Sequence, residues 1–166
     1  MKFSENDFRE VKRVATLVKK IDSIDSVNVN SVLDEIFLKQ PFFLTVMIGY
    51  RFDTTPLELD EIMRVYFLIW EYFRPYSNIQ TKKLTEDYFE KIQNKYIDML
   101  KSADRATEEK KTQIYTADLM NLKSKALLTA VFYRFNSGES LSKMDPYKKA
   151  IILIGIKSFI ICFERI

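Results

Sequence analysis

Apolar residues recur along this chain at three- and four-residue intervals, and the polar breaks between the runs carry helix-start signals. Ser4 is placed to cap a first helix, with Asp7 near its positive end and Phe3 and Phe8 at the spacing of a hydrophobic staple. Phe8, Val11, Val14, Ala15, Val18 and Ile21 then form one face of it. Asp22 to Asn30 is expected to be a polar loop, and Ser31 to Lys39 a short helix burying Val32, Leu33, Ile36 and Phe37. Pro41 suits the first turn of the next segment, and the apolar run Phe42 to Tyr50 is assigned to helix because a lone strand would lack a partner.

Thr55-Pro56-Leu57-Glu58 is a capping box with proline at the first helical position, and the helix it opens should stop at Phe73, before Pro75. Thr85 opens an amphipathic helix to about Ser102, with Phe89, Ile92, Tyr96, Met99 and Leu100 inward. Thr107 opens a long one that should end near Asn136, before Ser137-Gly138. Its roughly thirty residues would span about 45 Å if straight. Asp145-Pro146 starts the last helix, where Gly155 costs roughly 1 kcal/mol relative to alanine and implies close approach to another helix. Pro75 to Lys83 is the weak candidate for a domain boundary. The expected fold is all-α, a single domain over residues 1–166 of about six helices, with the Thr55–Phe73 helix or the last one at its centre.

Val65 to Trp70 is apolar on every side, as is much of two other helices. Either the chain wraps helices around these segments or a second subunit covers them, which would make a homodimer. The longest apolar stretch, Ala150 to Phe163, is interrupted by Lys157 and Ser158 and falls short of the roughly 20 residues a membrane span needs.

Composition narrows the chemistry. The chain has no histidine and three glycines, Gly49, Gly138 and Gly155. The usual neutral-pH general base and the commonest metal ligand are therefore missing, as are glycine-rich phosphate loops. Aromatic residues make up 14% of the chain, enough for a bulky core. Cys162 is the single cysteine, so no intramolecular disulfide is possible, and a reducing, cytoplasmic location is expected. Met1 to Lys20 has no apolar region of the kind a signal peptide carries. No cofactor and no metal is expected.

Several residue patterns carry part of a known chemistry. Ser140-Leu141-Ser142-Lys143 matches S-x-x-K but sits in a connection, without companion motifs. Glu58 with Glu61, and Glu86 with Glu90, share helix faces, yet dimetal bundles pair such acids with histidine. Asp22, Asp25, Asn28 and Asn30 lack the central glycine of a calcium loop. Cys162, inside an apolar run, is expected to be an inert buried thiol.

The most informative constellation is a charged stripe on the Thr55–Phe73 helix: Glu61, Arg64, Glu71 and Arg74, paired at i, i+3. With Tyr50, Arg51 and Tyr66 it would form a polar pocket in an aromatic lining, suited to a small anion or a peptide carboxylate. The alternative is a solvated strip of weak ion pairs. Arg9, Lys12, Arg13, Lys19 and Lys20 form a basic face on the first helix, and Lys148 and Lys149 sit at the start of the last; the first-helix face is the candidate surface for nucleic acid. Net charge is only +3, and no helix-turn-helix or stacking motif accompanies that face. The function these observations favour is a non-catalytic helical protein-interaction or regulatory module, binding a partner protein or itself. A nucleic-acid-associated protein, a small-molecule or lipid-binding bundle, and an enzyme using carboxylates, arginine and tyrosine without histidine are the alternatives.

Overall fold

A computed structural model describes residues 4–166, which contain nine α-helices and two short 3-10 turns and no strand. The helices are α1 (Glu5–Asp22), α2 (Ser26–Lys39), α3 (Pro41–Gly49), α4 (Pro56–Phe73), α5 (Ser77–Thr81), α6 (Glu86–Asp104), α7 (Glu108–Met120), α8 (Lys125–Ser137) and α9 (Pro146–Arg165). The all-α expectation holds, and the count rises from about six to nine.

The expected starts are where side chains meet orphan amides. Ser4 and Asp7 exchange the two hydrogen bonds of a capping box, as do Thr55 and Glu58. Thr85, Thr107 and Asp145 each accept from an amide three residues on. Phe3, half of the expected staple, lies outside the described residues.

Three departures have local physical causes. The loop expected over Asp22 to Asn30 ends early, because Asp25 accepts from the Asn28 amide at 2.8 Å and starts α2 at Ser26. The single long helix expected over 107–136 is two. At the break, the Ser124 amide and hydroxyl both donate to the Glu164 carboxylate of α9, and Leu122 is buried. The boundary candidate Pro75 to Lys83 is tied into the body. Gln40 is fully buried, donates to the carbonyls of Ile79 and Lys82, and accepts from the Leu84 amide.

The centre of the core is α4 packed with α9. Every residue from Val65 to Phe73 is buried, and so is every residue from Gly155 to Phe163. The covering comes from the chain itself: α1 and α8 lie on α4, and α6 lies along α9. These two helices therefore offer no argument for a second subunit. Phe159 anchors the aromatic core, with ring centroids 4.3 Å from Phe89, 4.9 Å from Phe43 and 5.9 Å from Tyr66. The close approach expected at Gly155 is to a side chain, the Tyr50 hydroxyl. It lies 3.1 Å from where a β-carbon would sit. No helix among the described residues is long and apolar enough to cross a membrane.

Candidate functional site

The charged residues of α4 do not converge on one pocket. Arg64 binds Asp60 one turn back at 3.0 Å and donates to the Ile21 carbonyl of α1 at 3.0 Å, so its expected pairing with Glu61 is replaced. Glu61 instead accepts from the Ser140 amide at 3.0 Å. Its other carboxylate oxygen lies against Gly138, only 2.5 Å from where a β-carbon would stand. Glu61 thus holds the turn after α8 through Ser140, 79 residues away in sequence.

Glu71 and Arg74 do pair, at 3.2 Å. The Glu71 side chain is 5% exposed, and a carboxylate so buried needs compensating charge. Lys20 of α1 supplies more of it at 2.8 Å. Arg74 also binds Glu35 of α2 at 3.0 Å, and Glu35 accepts from the Trp70 indole at 3.4 Å. This two-cation, two-anion network joins α1, α2 and α4 with its charges balanced, leaving no unmet charge for an anionic ligand.

Tyr50 and Tyr66 share a hydroxyl–hydroxyl bond of 3.1 Å. Tyr66 is fully buried, and burial pushes its phenol well above the ordinary value, with the nearby Tyr50 adding to the shift. Arg51 lies apart from both. It is exposed, and its guanidinium stacks 4.7 Å from the Phe52 ring centroid. The seven stripe and pocket residues therefore fall into four settings: the Glu61 turn, the Arg64 tie to α1, the Glu71–Arg74 network, and the Tyr50–Tyr66 pair with Arg51 outside it.

The basic face of α1 is likewise divided. Arg13 donates to the Tyr72 carbonyl at 2.6 Å and stacks 4.2 Å over the Tyr72 ring. The Tyr72 hydroxyl donates to Glu10 at 2.6 Å, and burial followed by that carboxylate raises the phenol. Lys20 serves Glu71, while Arg9 reaches Glu5 at 3.8 Å in solvent. Only Lys12 and Lys19 remain as exposed cations with no ion pair among the described residues.

Other residues of the candidate motifs have structural duties. Glu58 completes a capping box, Asp25 caps α2, and Asp22 pairs with Arg134. Cys162 is buried, and burial pushes its thiol up to about 12, which disfavours the reactive thiolate.

Several depressions among the described residues hold polar groups, and two of them bear on charged side chains away from the α1–α4 network. One, of about 250 Å³, is lined by Glu61, Arg134, Ser137, Gly138 and Leu141, and the buried Arg134 Nε has no partner there. The other, of about 190 Å³, lies between α6, α7 and α9. Beside it Lys157 of α9 pairs with Asp118 of α7 and stands 4.1 Å from the Tyr96 ring centroid. Burial, with Asp118 next, pushes the Tyr96 phenol up to about 12. This cluster is absent from the sequence-derived set, although its signal was present: a lysine inside an apolar run must find a partner.

Exposed apolar side chains also occur on two segments that one hydrogen bond ties together. The Lys148 ammonium donates to the Asp53 carbonyl at 2.8 Å, which sets the first turns of α9 beside the turn after α3. Phe52 is 77% exposed and Tyr147 76%, with Ile48 and Ile151 also open to solvent. Arg51 and Lys148 flank them, and neither has a carboxylate partner among the described residues.

No protein-family model, no curated protein and no solved structure matches this chain.

Proposed function

We propose that this chain is a non-catalytic helical interaction module that docks a partner protein on the Phe52–Tyr147 surface. The observation that carries this reading is two large aromatic side chains open to solvent, each next in sequence to one partner of the Lys148–Asp53 contact. Large exposed apolar groups brought together from distant sequence are the usual material of a docking anchor. Arg51 stacks on Phe52, and Lys148 spends its ammonium on a neutral carbonyl, so both keep their charge. A partner segment with an apolar anchor and flanking acidic residues complements them. A second copy of the chain would set these cations against one another across a two-fold axis. Support also comes from the reactive groups: Cys162, Tyr66 and Tyr96 are all pushed toward their neutral forms.

The test is binding of a labelled amphipathic helical peptide carrying leucines on one face and glutamates beside them. The reading expects micromolar binding that weakens about tenfold or more in the Phe52→Ser, Tyr147→Ser variant. It also expects weaker binding when the peptide's glutamates become lysines. Equal binding by both peptides, or by both protein forms, contradicts it.

A further inference from the structure

Helix α7 buries none of its residues, and only Lys111, Ile114, Asp118 and Leu119 are even partly covered. A helix with so few apolar contacts opens at low cost. Its Asp118 carboxylate nevertheless reaches the Lys157 ammonium, on a side chain that is 5% exposed. Asp118 and Tyr96, the two groups that hold Lys157, both line the 190 Å³ cavity. The rest of its lining is apolar, from Ile92, Met99 and Ile161, apart from two cations, Lys95 and Arg165. Both of those are solvent-exposed, and neither has a carboxylate partner among the described residues. Two exposed cations and the Asp118 carboxylate thus line a cavity with an apolar wall, and buried Lys157 lies behind that carboxylate as its partner.

We propose that this cavity binds an apolar organic acid, a carboxylate on an aliphatic or aromatic body, and that Asp118 holds the place of that carboxylate in its absence. Buried Lys157 must keep an anionic partner, since a buried charge left unpaired is costly. A ligand carboxylate supplies one, with Lys95 and Arg165 adding attraction at the mouth. Its hydrocarbon body lies on Ile92, Met99 and Ile161, and α7 moves off as Asp118 is displaced. Binding and α7 docking therefore compete. This inference is independent of the Phe52–Tyr147 surface, which lies at the opposite end of α9.

The experiment is calorimetric titration of the full chain with octanoate, and with octanol as the uncharged control. In Asp118→Asn the competitor has lost its charge and Lys157 lacks a partner, so octanoate should bind about tenfold tighter than to the wild type. Lys157→Met should abolish saturable binding, and octanol should bind none of the three forms comparably. Equal affinity in Asp118→Asn and the wild type overturns the proposal. So does undiminished binding in Lys157→Met, binding of octanol as strong as octanoate, or no saturable binding to Asp118→Asn. Should Asp118→Asn fail to fold, the Lys95→Ala, Arg165→Ala variant decides. It should bind octanoate more weakly than the wild type, and unchanged affinity, or no octanoate binding by the wild type, overturns the proposal.

Discussion

Glu164 accepts both hydrogen bonds that Ser124 can donate, the amide at 2.6 Å and the hydroxyl beside it. That contact, forty residues apart in sequence, separates α7 from α8. Glu164→Ala leaves the two donors of buried Ser124 without their acceptor, which should cost about 1–3 kcal/mol. Urea unfolding measures the loss, and hydrogen exchange at residues 121–124 should rise with it. Unchanged stability and exchange would show that the break does not depend on Glu164.

Gly138 meets the Glu61 carboxylate and the Arg134 carbonyl at 2.5 and 2.6 Å from its absent β-carbon. A carboxylate tip can swing away, but a backbone carbonyl cannot. Gly138→Ala should therefore destabilise by about 1–3 kcal/mol, and Glu61→Ala in the same chain should not restore the loss. Full restoration would locate the whole conflict at Glu61.

Gly155 and Tyr50 form a different pair. A β-carbon at 155 would lie 3.1 Å from the Tyr50 hydroxyl, so that hydroxyl must give by a few tenths of an ångström. Against this stands the helix-propensity gain from alanine of about 1 kcal/mol. Tyr50→Phe alone removes the partner of the buried Tyr66 hydroxyl and should cost about 1–3 kcal/mol. In that background the space is open, so Gly155→Ala should recover about 1 kcal/mol, more than it yields in the wild type. Additive effects in a double-mutant cycle would contradict the contact.

Alkaline pH should unfold the protein cooperatively. Cys162 and Tyr96 ordinarily lose protons near 9 and 10, and in the folded state each is pushed up to about 12. Between those values the unfolded chain binds fewer protons than the folded one, so stability falls as pH rises. It is fully present below pH 9 and lost progressively toward 12. Tyrosinate absorbance and helical circular dichroism followed together should show buried phenols ionising with helix loss. Complete tyrosine ionisation near 10 with helices intact would refute the assignment.

What the sequence revealed was local. The caps at Ser4, Thr55, Thr85, Thr107 and Asp145 each act within a few residues, and each was legible from spacing alone. Asp25 is also a local cap, but Val27, Asn28, Val29 and Asn30 behind it are weak helix formers, which hid the start of α2. The break at Ser124 and the roles of Glu61 and Lys157 were not legible, because their partners lie across the fold. The α4 stripe misled for the same reason. Neighbours at i, i+3 were candidates for pairing, yet Arg64 and Glu61 found better partners on other elements. The Lys148–Asp53 contact also joins distant sequence, so Phe52 and Tyr147 were not legible as parts of the proposed surface, although Arg51 and Lys148 were among the sequence-derived candidates.

The most direct test of the interaction reading is a ¹⁵N NMR titration of the full chain with the glutamate-flanked amphipathic peptide. The account predicts saturable shifts confined to residues 48–53 and 145–151, abolished by Phe52→Ser, Tyr147→Ser. Shifts centred elsewhere, or none at millimolar peptide, would contradict it.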